Sequence, residues 1–116
     1  MTEYFVTERP TRKPTHPGAV LRLQVFPALG LNKTKAAEAL DISRQMLHRI
    51  IREDNPESIS VRMALRIGKL CGNGPTMWLN MQRNYDLWHA EQEMIDILKA
   101  IPTMEAPARD EVVATA

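Results

Sequence analysis

The sequence holds a single cysteine, Cys71, so no disulfide can form within the chain, as suits a reducing compartment. No window approaches the roughly 18 consecutive apolar residues of a membrane span. The opening stretch MTEYFVTERP lacks the apolar run of a secretory leader, and the expected location is cytoplasmic. Neither a phosphate-cradling glycine loop nor a nucleophile motif is present, so no enzymatic activity is expected. His16, His48 and His89 lie far apart, and none has metal-ligand spacing with Cys71 or a carboxylate. Surface or capping roles are therefore expected for them, with no metal and no cofactor. Asp86, Glu91, Glu93 and Asp96 could form an acidic patch, which reads as a solvated helix face. No segment favours β-strand, and no internal repeat is visible.

What is there is enough for one small domain: 116 residues, 44% of them hydrophobic, can supply a modest core. The net charge of +1 conceals an asymmetry. Between Arg9 and Glu53 nine basic residues face three acidic ones, whereas the remainder has six basic against eleven acidic. A basic half suggests a polyanionic partner only if its charges share a face.

Residues 1–14, with Pro10 and Pro14 around Arg12 and Lys13, show no period and read as a flexible basic arm. Pro17 and Gly18 open a first helix through Leu21 and Val25, which Pro27 is expected to end. Asn32 caps a second helix whose Ala36, Ala37 and Leu40 share a face while Lys33, Lys35 and Glu38 point away. After the short link Asp41-Ile42, Ser43 caps a third helix. Its apolar stripe is Met46, Leu47, Ile50 and Ile51, with Arg44, Gln45, His48, Arg49 and Arg52 opposite. Residues 53–57 form a loop. Ser60 caps a fourth helix, carried by Met63, Ala64, Ile67, Leu70 and Cys71 and stopped at Gly72-Asn73-Gly74. Pro75 and Thr76 open a long fifth helix in which Met77, Trp78, Met81, Tyr85 and Trp88 recur at one- and two-turn intervals. Trp78 reads as a core residue. Met94, Ile97, Leu98 and Ile101 either extend this helix or make a separate one, and Pro102 and Pro107 end regular structure.

Helices two and three, joined by so short a link, have the pattern of a helix-turn-helix. Small residues in the second helix permit a close crossing, and Leu40 and Ile42 anchor the turn. Asp41 stands where such turns commonly have glycine, and aspartate tolerates a left-handed backbone better than most residues. With its apolar side fixed inward, the third helix presents Arg44, Gln45, His48 and Arg49 as base-reading side chains for the major groove of double-stranded DNA. Lys33, Thr34, Lys35, Ser43 and Arg52 lie at helix ends, where side chains and N–H groups meet phosphates. A single reading helix covers few base pairs, so a homodimer on a two-fold operator is expected, with Tyr85 and Trp88 of the fifth helix at its interface.

The run from Arg12 to Glu91 resembles the HigA-type (VapI-like) antitoxins of the Xre, or lambda-repressor-like, helix-turn-helix group. The resemblance rests on Arg12-Lys13-Pro14-Thr15-His16-Pro17-Gly18, Leu29-Gly30-Leu31, Ile42-Ser43-Arg44-Gln45-Met46-Leu47, Met63-Ala64-Leu65-Arg66, Met77-Trp78-Leu79-Asn80-Met81-Gln82 and Tyr85-Asp86-Leu87-Trp88. Together with the helical pattern it implies an all-α, five-helix lambda-repressor-like domain over residues 15–101 with an extended C-terminal helix, while the prolines at 102 and 107 make 102–116 read as a disordered tail. The resemblance further implies an antitoxin that binds its own operator and neutralises a HigB-like, mRNA-cleaving toxin. A solitary regulator without a toxin, or an interaction module that has lost DNA binding, remains open from the residues alone.

Overall fold

The computed structural model describes residues 13–106, and the greater part of the expected arm and tail falls outside that range. Residues 13–16 and 102–106 have no regular secondary structure.

His16 starts the first helix. Its ring Nδ1 accepts the Gly18 N–H at 2.8 Å, doing from a buried position what a serine or aspartate cap does elsewhere. Helix α1 then runs through three contiguous segments, Pro17–Val20, a π-helical turn Leu21–Val25, and Phe26–Leu29. This corrects the expectation that Pro27 ends the helix. The Phe26 N–H donates to the Leu21 carbonyl five residues back, and this widened turn carries the chain past a proline that has no N–H to give. Gly30, left-handed at φ 68°, is the actual stop.

Helix α2 (Lys33–Leu40) begins where the Asn32 side chain accepts the Lys35 N–H at 2.8 Å. It ends at Asp41, whose φ of 57° and ψ of 49° place it in the left-handed region as anticipated. The Asp41 and Ile42 N–H groups turn back to the Glu38 and Ala37 carbonyls, closing the turn in Schellman fashion. Helix α3 (Arg44–Ile51) opens on Ser43, whose Oγ accepts the Met46 N–H at 3.0 Å. Helix α4 (Val61–Cys71) is capped in the same way by Ser60 and stops at Gly72. Helix α5 (Thr76–Glu93) is followed, after a break at Met94, by the short helix α6 (Ile95–Ala100). Of residues 91–101, the first three therefore extend α5, and Ile95–Ala100 form a separate short helix after the break at Met94. Among the described residues the fold is all-helical, with six helices and no strand.

The core joins Leu21 and Phe26 of α1, Ala36, Ala37 and Leu40 of α2, Leu47, Ile50 and Ile51 of α3, Met63, Ala64 and Ile67 of α4, and Trp78 of α5. Trp78 is 1% exposed and its indole N–H donates to Asn73 at 3.1 Å, so burying the ring strands no polar group. Ala36 and Ala37 are both buried where α2 crosses α3, and the absence of bulk there lets the pair close. Some expected core positions differ: Met46 is exposed, and Ile42, Leu70 and Cys71 are only half-buried against the core. Met46 lies just inside the first turn of α3, beyond the reach of the core that takes Leu47 one position later.

Candidate nucleic-acid interface

With Leu47, Ile50 and Ile51 buried, the other edge of α3 faces outward. A shallow hollow of about 720 Å³ lies along it, lined by Lys33, Ser43, Arg44, Gln45, His48 and Arg49. The structure thus brings all four expected base-reading residues together with two of the expected phosphate residues. Arg44, Gln45 and His48 are exposed, and Arg49 is half-buried.

The environment of each side chain differs. Lys33 Nζ lies 3.2 Å from His48 Nδ1, a contact that ties the first turn of α2 to the middle of α3. An ammonium can only donate, so Nδ1 accepts, and the ring hydrogen is left on Nε2 as a free donor. Arg49 Nε donates to Glu57 Oε1 at 3.3 Å, a pair in which both side chains keep nearly half their exposure. Ser43 Oγ already accepts the Met46 N–H, yet its hydroxyl hydrogen remains available to an anion at the helix start. Thr34 and Lys35 are exposed on the first turn of α2 but do not line this hollow. Arg52 Nε donates to the Asn55 carbonyl at 3.0 Å, and its side chain lines a neighbouring hollow together with Lys33 and His48.

Tyr85 and Trp88, the expected interface residues, are both half-buried. The Tyr85 ring meets His16 edge-on at 4.8 Å, and Lys13 Nζ stands 5.6 Å from its centroid. His89 lies between Tyr85 and Trp88, with centroids 4.3 and 5.1 Å away. Leu87 on the same helix, and Met94, Ile95, Ile97, Leu98 and Ile101 further along the chain, are exposed apolar side chains.

Two supporting residues escaped sequence reasoning. Arg66 of α4 reaches across to α2, and its Nη1 donates to the Leu40 carbonyl at 2.9 Å and the Asp41 carbonyl at 3.2 Å. It completes the C-terminal cap of α2 and so braces the turn that aims α3. Gln82 is buried in α5, where Oε1 accepts the Ile59 N–H at 2.9 Å and Nε2 donates to Asp86 at 2.8 Å. Its neighbours in the stripe are apolar, and a polar residue there is explained by its partners, the Ile59 N–H, the Ser58 hydroxyl and the Asp86 carboxylate.

Two short helices crossing through paired alanines, the second offering arginine, glutamine and histidine to solvent, define a helix-turn-helix protein of the DNA-reading class. No family model matches the chain. Virulence-associated protein I of Dichelobacter nodosus is 38% identical over 87 residues, covering 75% of this chain and 79% of that protein. Antitoxin GraA superposes with a TM-score of 0.73 at 32% identity over 80% of this chain and 99% of GraA, and GraA bound to its operator gives 0.72. Pseudomonas aeruginosa antitoxin HigA, solved with the higBA promoter, gives 0.73 at 28% identity over 80% of this chain and all of HigA. The chain belongs to the HigA-type family of helix-turn-helix antitoxins and regulators. No helix among the described residues is long and apolar enough to cross a membrane.

Proposed function

We propose that this protein is a DNA-binding antitoxin that represses its own operon and neutralises a HigB-like, mRNA-cleaving toxin. The observation that carries the DNA half is the single hollow gathering Lys33, Ser43, Arg44, Gln45, His48 and Arg49 along the outward edge of α3. Arg44 and Arg49 suit guanine and Gln45 suits adenine, while the Nε2–H of His48 can donate to a base acceptor. Lys33, Ser43 and Arg52 set the register on phosphates, with Thr34 and Lys35 at the start of α2 adding to it. GraA with its operator and HigA with its promoter share this fold at about the same TM-score, which supports the same use of the edge here.

The working form is a homodimer in the cytoplasm, because two reading helices are needed to span two half-sites one helical turn apart. Trp88, together with the exposed apolar side chains running from Leu87 to Ile101, supplies the contact. Tyr85, half-buried beside His16, joins Trp88 in that contact.

Gel retardation with DNA from the protein's own promoter tests the reading. Substituting Arg44 and Gln45 with alanine should abolish sequence-selective retardation while leaving helicity intact. Unchanged selectivity refutes the assignment of α3. Co-expression with the neighbouring reading frame tests the toxin half: a stable complex and relief of growth arrest are expected, and growth arrest that persists in the presence of this protein refutes it.

A further inference from the structure

The hollow along α3 does not end at its last reading residue. Lys33 and His48 also border a second hollow of about 460 Å³, whose other cations are Arg22 and Arg52. Those two arginines in turn border a third, of about 200 Å³, which adds Lys13. Glu53 is the one acidic residue lining the second and third hollows, and among the described residues no ion pair joins it to either arginine.

The two arginines are held in the same manner. Arg22 Nη1 donates to the Ile51 carbonyl at the end of α3, and Arg52 Nε donates to the Asn55 carbonyl. A guanidinium carries five donors in a rigid fork, so one backbone tether fixes the group and leaves most of its donors uncommitted. Arg22 Nε is itself buried, so any phosphate contact by this residue falls to its terminal nitrogens. Between the cations the floor of the second hollow is apolar, formed by Phe26, Pro27, Leu31 and Ile51. Charged heads alternating with an apolar floor match a sugar-phosphate backbone, whose anionic groups alternate with the faces of deoxyribose.

We propose that Lys13, Arg22 and Arg52 form a phosphate-binding track beside the reading helix, gripping the backbone of duplex DNA with residues that lie outside the helix-turn-helix itself or at its very end. The track rests on the DNA-binding reading above and extends it: α3 selects the sequence, and the track adds affinity that is blind to sequence. Pre-tethered forks lose little side-chain freedom on binding, which suits them to this role.

The test is fluorescence anisotropy over a range of salt, with a duplex from the protein's own promoter and a scrambled duplex of equal length. K13Q and R22Q should each lower the log–log salt slope by about 0.9, so that affinity between 50 and 200 mM salt falls about 3.5-fold less than in the parent. Both variants should weaken the two duplexes by the same factor, whereas the Arg44→Ala, Gln45→Ala protein should lose only its preference between them. Unchanged slopes in K13Q and R22Q, with preference still lost in the α3 variant, overturn the track and leave the reading helix standing. Unchanged preference in the α3 variant overturns the reading helix instead. Arg22 also braces α3, so circular dichroism accompanies the measurement, and if R22Q unfolds then K13Q, exposed and outside the core, decides the matter.

Discussion

Gly18 presses against the backbone of Ile50 so closely that a Cβ on Gly18 would lie 2.0 Å from the Ile50 carbonyl oxygen. The obstacle is main chain, which cannot swing aside as a flexible side chain would. This contact seats the start of α1 on the last turn of α3, and it sets how far the reading edge stands out from the body. Gly18→Ala is expected to cost about 1–3 kcal/mol of stability through overpacking. Because relief requires α3 to shift, DNA affinity should fall by more than the loss of folded protein explains. Urea denaturation and anisotropy on the same samples check this, and an unchanged urea midpoint defeats it.

That glycine shows how far the sequence could be read. Helices α2, α3 and α4 were legible because polar caps at Asn32, Ser43 and Ser60 mark their starts and buried residues recur at helical spacing behind them. The outward edge of α3 followed from the same pattern, since fixing Leu47, Ile50 and Ile51 inward leaves Arg44, Gln45 and His48 outward. The π-turn at Leu21–Val25 was not legible. A shift of backbone hydrogen bonding from four residues to five leaves no mark in apolar spacing, and Pro27 read locally is a stop signal. The brace from Arg66 and the buried Gln82 were equally hidden, because each answers backbone groups far away in sequence, Leu40 in one case and Ile59 in the other.

Arg66 offers a second test. Its guanidinium serves two carbonyls at the end of α2, and its Nη1 also lies 3.8 Å from the Asp41 carboxylate. The side chain is partly exposed, so water replaces much of what is lost and Arg66→Met should cost only about 1 kcal/mol. The larger effect should fall on function, since the loosened turn no longer holds α2 and α3 at one angle. Operator affinity measured below the unfolding transition is expected to drop several-fold. Wild-type affinity would show that the turn holds its geometry without help from α4.

Glu57 sets a third. It occupies Arg49 at 3.3 Å on the very edge proposed to meet DNA, so binding must exchange a carboxylate for a base or a phosphate. An exposed pair of this kind contributes about 0.2–1 kcal/mol, which corresponds to at most about fivefold in affinity. Glu57→Gln should therefore tighten DNA binding by up to that factor with little change in stability. Weaker binding would mean that Glu57 positions Arg49 for its contact rather than competing for it.

The last prediction concerns acid. His16 is 4% exposed, and burial holds its ring below the usual value of 6.5. A backbone interaction with Glu57 and the Asp86 carboxylate pull the other way, while His89 adds to the depression. A depressed pKa means that the unfolded chain takes the proton first as pH falls. The contribution of neutral His16 is therefore fully present above about pH 6.5, declines below it, and levels off once the folded protein is protonated too. Protonation would also remove the Nδ1 lone pair that accepts the Gly18 N–H, so the start of α1 should fray in the same range. His16→Asn keeps an acceptor for that N–H and cannot titrate. Thermal unfolding from pH 8 down to pH 5 should show a decline below pH 6.5 in the parent that is reduced in the variant, and parallel curves would assign acid sensitivity to other groups.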